Sequence, residues 1–510
     1  MLNSQPNNKR IAKNTLYLYI RMLFVLLVNL YMSRVLLGTL NVTDYGTYVV
    51  VAGFVTLFGF FNTTLSSTMQ RYYNYAGTQY SEAGLQEVFS TGCLIHLLVA
   101  FVTFAVLESF GVWYFYHALV IPPARFAAAL VVFHASVASL VLLILQMPFS
   151  GLVLSQEHMG YYSLVSIIDI LLKLGVTLSL KYLPTDSLST YALLLLGISI
   201  IDLLLYAVYS KVHWRFLHFS RRVNRAMMKS LLSFAGWNLV GTFAFMLRGQ
   251  GVSLLLNNFF GPVVNAARGI AMQVSNAVQN FSSSITVAFS PQIVNAIATE
   301  DQVRAENLMF TESKICYALL LVLAVPLCLE MDYVLSLWLG RSVPQSNIFS
   351  ILMLADALLC TLNTPCTQVT MATGRIRHYQ MASSIVNLCL IPCCYLFLRM
   401  GYSAVSSFVI TIIFSLVNQL VCCLLTHRVF RFNGLRYFRV VILPCMVLTM
   451  LLPVVPLVVK SLMSSSFLRL ACVCVADVII AMPVVYGLLL NRQERMFVTG
   501  LVTKKLFKHS

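Results

Sequence analysis

Apolar runs of helix length alternate with short polar breaks along the whole chain. A helix needs about 20 predominantly apolar residues to cross a bilayer's hydrocarbon core, and Pro, Gly and charged punctuation divides this chain into about 14 such runs. They cover roughly residues 14–39, 46–68, 88–109, 126–147, 160–180, 189–210, 230–256, 263–290, 309–329, 347–371, 379–398, 403–426, 440–459 and 470–490. The pattern predicts an all-α integral membrane protein. The run starting at Asn14 is too long for a signal peptide and lacks its small-residue cleavage site, so it reads as a retained first span.

Composition agrees with this reading. The 510 residues are 59% hydrophobic and only 10% charged, which excludes a soluble globule, a disordered chain and a nucleic-acid-binding domain. Where the charges sit is more informative than the net +17. Basic clusters occupy every second loop: Lys9, Arg10 and Lys13; Lys211, Arg215, Arg221, Arg222, Arg225 and Lys229; Arg375 and Arg377; Arg428, Arg431, Arg436 and Arg439; Arg492, Arg495, Lys504, Lys505 and Lys508. Short cytoplasmic loops are enriched in Lys and Arg, so both termini are placed on the cytoplasmic side, beside anionic inner-leaflet lipid. Most of the thirteen cysteines lie inside apolar runs, as at Cys389, Cys393, Cys394, Cys422, Cys423, Cys472 and Cys474, and read as small helix residues rather than a disulfide framework.

The largest connection, the basic segment 211–229, divides the expected domains: a lobe of spans 1 to 6 at 1–210, the linker, a lobe of spans 7 to 12 at 230–426, and spans 13 and 14 with a basic tail at 427–510. At an offset of about 220 residues, Gly38–Gly46 aligns with Asn258–Ala266, and the tract containing Asn62, Thr63, Thr64, Ser66 and Ser67 aligns with Ser282, Ser283, Ser284 and Thr286. An even number of spans per half makes the halves parallel copies, related by a pseudo-twofold axis along the membrane normal, as transporters often are.

Polar groups at bilayer depth are costly and therefore mark function. With Arg268 as origin and about 100° per residue, Asn265, Ser275, Asn276, Gln279, Asn280, Ser282, Ser283 and Thr286 fall on one arc of span 8. Ile270, Ala271, Val274, Ala277, Val278, Phe281 and Ile285 fill the opposite arc. Such a helix between two apolar spans is expected to line a hydrated interior, the alternative being an interfacial helix lying on the membrane. Span 1 repeats the pattern with Asn14, Tyr17, Arg21 and Asn29, whereas Arg34 near its outer end reads as an anchor. Arg248 and Arg268 sit at similar depths on consecutive spans and are candidates for one cationic site. Arginine's permanently charged planar fork suits a phosphate or diphosphate, especially where the dielectric is low.

Intramembrane acids follow at Asp169, Asp202, Asp356 and Asp477. Asp169 and Lys173 are spaced to pair on one helix face. A buried Asp without a partner can carry a proton, which makes Asp202 and Asp356 ion-coupling candidates beside the Asp169–Lys173 pair. His96 and His134 read as hydrogen-bonded packing residues. No phosphate loop, His-Glu-x-x-His pair or zinc-type cysteine spacing occurs, so no enzyme, metal or cofactor is expected.

The stretches Arg10-Ile-Ala-Lys-Asn14, Leu18-Tyr-Ile-Arg21, Ser33-Arg34-Val-Leu-Leu-Gly38, Asp44-Tyr-Gly46 and Gln70-Arg71 resemble the N-terminus of Wzx-type oligosaccharide flippases. So do Asn265-Ala-Ala-Arg268-Gly-Ile-Ala-Met-Gln273-Val and Ser290-Pro291-Gln292-Ile. These proteins belong to the multidrug/oligosaccharidyl-lipid/polysaccharide exporter superfamily. The resemblance implies two lobes around a cationic cavity that passes polyprenyl-diphosphate-linked oligosaccharide from the cytoplasmic to the periplasmic leaflet of a bacterial inner membrane, coupled to protons or sodium. Other polysaccharide-assembly membrane proteins are implied as partners. Arg21, Arg248 and Arg268, with Asn265, Gln273, Asn276, Gln279 and Asn280, are the candidate diphosphate and sugar contacts. In the related lipid II flippases two extra C-terminal helices help form a groove for the lipid tail, which suggests a role for spans 13 and 14. The alternatives are a multidrug or organic-cation antiporter, which a cationic lumen disfavours, and a membrane polymerase or glycosyltransferase, which the short outer loops disfavour.

Overall fold

A computed structural model describes residues 8–79, 82–156, 158–217, 225–341, 343–489 and 495. Arg221, Arg222, Arg492, Lys504, Lys505 and Lys508 lie outside the described residues, as do the side chains of Asn14 and Tyr17. The described chain is helical throughout, with no strand. Its long helices are α1 (Asn8–Thr56), α2 (Phe60–Gln79), α3 (Glu82–Val106), continued by a π turn and the short α4 (Val112–His117), α5 (Phe126–Ser155), α6 (Met159–Ser179), α7 (Ser187–His213), α8 (Arg225–Phe260) and α9 (Pro262–Ala298). There follow α10 (Gln302–Leu329), α11 (Met331–Leu339), α12 (Ser346–Ala372), α13 (Arg377–Arg399), α14 (Val405–Phe430), α15 (Gly434–Tyr437), α16 (Leu443–Leu451), α17 (Val454–Leu462) and α18 (Phe467–Val484).

Among the described residues, 11 helical stretches are long and apolar enough to cross a membrane. One of them, Arg21–Gln70, runs for 50 residues and holds both of the first two expected spans, while the more polar α8 and α9 fall outside the count. The expectation of about 14 spans is met on these terms. The chain is a multi-pass membrane protein, and its outer faces carry the expected apolar side chains: Phe101, Leu204, Leu420 and Ile479 are all more than half exposed. The expected turn after span 1 is a kink rather than a loop. Asn41 breaks α1 with φ 63° and ψ 171°, and its side chain accepts the Asp44 N–H at 3.0 Å.

Packing gathers the chain into two compact units, residues 1–269 with 387–404 and residues 270–386 with 405–510. These differ from the lobes drawn at the basic linker, because α8 packs on α1 and α2 and so joins the first unit. In that unit α5 lies against α2, α3 and α7, and α1 against α6. In the other, α12 packs on α10 and α14, and α18 on α10 and α17. None of the thirteen cysteines forms a disulfide.

Candidate functional site

On α6 the spacing of Tyr162, Ser166, Asp169 and Lys173 by four, three and four residues puts them on one helix face. In the first unit that face meets Asp202 and Tyr206 of α7, Gln146 and Ser150 of α5 and Ser66 of α2 around a polar cavity of about 260 Å³. Lys173 Nζ stands 2.8 Å from the Asp169 carboxylate, and Asp169 and Asp202 line the same cavity. Arg21 of α1 reaches the same wall. Its Nη1 donates to Ser166 Oγ at 3.5 Å and its guanidinium carbon lies 5.1 Å from the centre of the Tyr162 ring, a cation–π contact. Arg21, a candidate substrate contact, is thus a neighbour of the ion-coupling candidates Asp169, Lys173 and Asp202.

A second polar cluster of the first unit is built by a helical hairpin. Gly261, at φ 78°, ends α8 in the left-handed conformation that favours glycine, and the first residues of α9 turn back toward α8. Arg268 accordingly donates from Nε to Ser253 Oγ and from Nη2 to the Gly249 carbonyl, both at 2.7 Å. Arg248, beside Gly249 in sequence, donates to Asn387 Oδ1 of α13 at 3.5 Å. Both arginines are buried, at 9% and 5% exposure for Arg248 and Arg268. The two cations are therefore brought to one stretch of α8, and Arg268 also clamps α8 to α9. Gly46 lets this hairpin approach α1. A Cβ there would stand 1.9 Å from the Pro262 carbonyl oxygen, which accounts physically for the glycine of the Asp44-Tyr-Gly46 stretch.

The polar arc of α9 is not uniformly wet, contrary to the expectation from its periodicity. Asn265 is fully buried with neither side-chain polar atom hydrogen-bonded, and Ser275 and Ser282 are buried too. Asn276 and Ser283 are exposed, and Gln273, Gln279 and Asn280 are half-buried. Ser275 donates to the Met353 carbonyl of α12 at 3.4 Å and Gln279 to Ser275 at 2.9 Å. Helix packing consumes part of the polar face that a helical wheel assigns to water. The opposite arc is buried as well, at Ile270, Ala271, Val274 and Val278, which is incompatible with a helix lying on the membrane surface.

The remaining candidate acid, Asp356, lies in the second unit and accepts a hydrogen bond from Ser415 of α14. No cation lies near Asp356 in the sequence; the hydroxyl it bonds to is 59 residues away. His96 is buried and its Nδ1 lies 2.7 Å from the Gly92 carbonyl, a packing contact within α3. An apolar groove of about 650 Å³ runs between α10 and α18, lined by Ala318, Leu319, Val322, Val478, Met482 and Tyr486. At its end Lys314 donates to the Leu489 carbonyl at 2.8 Å. Glu312 and Lys314 went unnoticed in the sequence because they sit at the start of span 9, where charges read as loop anchors. Both are buried, at 0% and 1% exposure.

No protein-family model matches the chain. No curated protein matches it either. Solved structures do. The lipid II flippase MurJ in an inward closed conformation superposes with a TM-score of 0.67 at 13% identity, covering 93% of this chain and 98% of its own. An inward-facing multidrug resistance MATE family transporter superposes with a TM-score of 0.64 at 11% identity over 81% of this chain and 99% of its own. A MOP superfamily transporter from Pyrococcus furiosus, described as having a binding pocket of reverse polarity, gives 0.59 at 13% identity over 82% and 96%. In fold, then, this chain is similar to transporters of the MOP superfamily.

Proposed function

We propose that the chain is a transporter that flips polyprenyl-diphosphate-linked oligosaccharide from the cytoplasmic to the periplasmic leaflet of a bacterial inner membrane, for O-antigen or capsule synthesis. The observation that carries the reading is the burial of two arginines, Arg248 and Arg268, with Arg268 bonded to the Gly249 carbonyl beside Arg248 in sequence. A diphosphate is the ligand that such permanent, forked donors stabilise best in a low dielectric. Arg21 adds a third cation, and Gln273, Asn276, Gln279 and Asn280 offer amides for sugar hydroxyls farther along α9. Asn265, buried without a partner, keeps the Arg268 turn of α9 polar. The groove between α10 and α18 suits the polyprenyl tail, which gives spans 13 and 14 a purpose. The six-span lobes at 1–210 and 230–426 would alternate access to the site. No catalytic step or cofactor is assigned.

Coupling is assigned to the cavity lined by Asp169 and Asp202, with Lys173 bonded to Asp169, where two carboxylates in one cavity can take up and release one proton or sodium ion. Asp356, bonded to Ser415, is the second-unit candidate. The same carboxylate cavity favours a second reading, an organic-cation antiporter. Mass spectrometry of lipids bound to the purified protein separates the two. A polyprenyl-diphosphate sugar supports the flippase, and saturable drug binding without such a lipid supports the antiporter. In proteoliposomes, Arg21→Ala, Arg248→Ala and Arg268→Ala are expected to abolish translocation while Arg34→Ala, at an exposed position, retains it. Full activity in all three variants would discard the site.

A further inference from the structure

In the first unit, α3, α5 and α7 enclose a second groove, of about 740 Å³. Phe89, Cys93 and Leu97 recur every four residues along α3, and Leu204, Ala207 and Lys211 at three and four along α7, so each helix turns one stripe to the groove. Its floor is closed by Phe89, which is buried and set edge-on to Phe149 of α5 with ring centres 5.6 Å apart. At the surface Leu97 and Leu204 stay more than half exposed. The polar part of the lining is at one end. There Ser210 and Lys211 belong to the last turn of α7, which the basic connection 211–229 places on the cytoplasmic side. Lys211 is exposed, whereas Ser210 is buried and its hydroxyl has no hydrogen-bond partner among the described residues. No acid is among the described residues that line the groove.

These groups are ordered by depth. The apolar stripes take hydrocarbon, a buried hydroxyl without an acceptor is costly until an oxygen meets it, and an ammonium at headgroup level attracts negative charge. A glycerophospholipid presents an acyl chain, ester oxygens and a phosphate in that same order. We propose that the groove holds one anionic phospholipid of the cytoplasmic leaflet, with an acyl chain along Leu97, Leu204 and Ala207, an ester or phosphate oxygen at the Ser210 hydroxyl and the headgroup charge at Lys211. From Lys211 to Leu204 the groove runs about 10 Å along α7 at 1.5 Å per residue, so it takes only the part of the chain nearest the headgroup. The site belongs to the first unit, unlike the groove between α10 and α18, and does not depend on the substrate proposed above.

The full-length protein in detergent is titrated with phosphatidylglycerol, or with phosphatidylcholine of the same acyl chains, and bound lipid is counted by mass spectrometry of the intact protein. One phosphatidylglycerol is expected to bind saturably and about fivefold tighter than phosphatidylcholine, the effect of one Lys beside an anionic headgroup. Lys211→Gln should remove that preference, and Arg375→Gln, at another exposed basic position, should leave it intact. Ala207→Trp, which fills the groove, should weaken the binding of both lipids. Equal affinity for the two lipids in the unsubstituted protein, an unchanged preference in Lys211→Gln or unchanged binding in Ala207→Trp overturns the site. Stoichiometric displacement of the phospholipid by a polyprenyl diphosphate overturns it as well, since the groove would then hold a substrate tail. Failure of the site leaves the flippase reading untouched, because that reading is tested by translocation and by a bound polyprenyl-diphosphate sugar.

Discussion

In the first unit, the cations within the membrane are met by named partners, Lys173 by Asp169, Arg21 by Ser166 and Tyr162, and Arg268 by Ser253 and Gly249. Asp202, with a buried oxygen left unbonded among the described residues, shares a polar cavity with Asp169 of that Asp169–Lys173 pair. At the unit's edge Arg125 joins Asp44 and Asp186, at 2.7 and 2.6 Å. In the second unit Glu312 and Asp477 are both fully buried, and among the described residues none of their carboxylate oxygens is hydrogen-bonded. That unit does pair other acids, Glu330 with Arg469 at 2.5 Å and Glu306 with Arg436 at 3.0 Å, so it does not lack cations. The difference teaches that charge in the first unit is part of the packing, whereas two acids of the second await neutralisation by a proton or an ion.

Substitutions should therefore have opposite consequences in the two units. Arg268→Ala is expected to cost the most, about 2–3 kcal/mol, because it strands the Ser253 hydroxyl and the Gly249 carbonyl in a buried hairpin. Chemical unfolding in detergent measures this, and a cost below about 0.5 kcal/mol would break the comparison at its strongest point. Next in size, Asp169→Asn leaves Lys173 without its counter-charge. A double-mutant cycle with Lys173→Met should return a coupling of about 1 kcal/mol, held down because both side chains are partly exposed.

Asp186 sharpens the comparison outside the spans. It caps α7, accepting the Ser189 N–H at 2.9 Å and hydroxyl at 2.7 Å. Partial burial pushes its carboxyl up, but the Ser189 hydrogen bonds and Arg125 outweigh burial and hold it below the usual carboxylate value. A depressed value contributes stability above the unfolded carboxylate's pKa of about 3.9 and loses it as pH falls through the folded value. Asp186→Ala should cost about 1 kcal/mol near neutral pH and should remove this part of the acid-dependent loss, as read from melting curves between neutral and acid pH. The smallest effect is expected at Asp477→Asn. Neutralising an unpartnered buried acid should change stability by less than about 0.5 kcal/mol or raise it. A cost like that of Arg268→Ala would show that Asp477 has a partner after all.

What could be read before folding follows from distance along the chain. Asp169 and Lys173 are one turn apart, so their pairing was visible in the spacing. That Arg268 reaches back to the Gly249 carbonyl follows from the turn at Gly261, which shared depth on consecutive spans only suggested. Nothing local could bring Arg21 to Ser166, 145 residues away, or Asn387 to Arg248, 139 residues away. The wheel of α9 identified its polar arc but not that Asn265, Arg268 and Ser275 would be buried within it. Glu312 was hidden by the opposite error, a charge at the end of a span that folds inward.

The sequence by itself determined an all-α membrane protein, the approximate extent of its spans and the pairs spaced one turn apart. In hydrocarbon every backbone N–H and C=O must be satisfied within its own helix, so length and hydropathy suffice for these features. Tertiary structure alone decided that Arg21 joins the Asp169–Asp202 cavity and that Arg268 is clamped to α8. It also decided that Glu312 is buried, with neither carboxylate oxygen hydrogen-bonded among the described residues. Side chains from distant helices meet only where packing brings their faces together, and no periodicity within one helix specifies its neighbour.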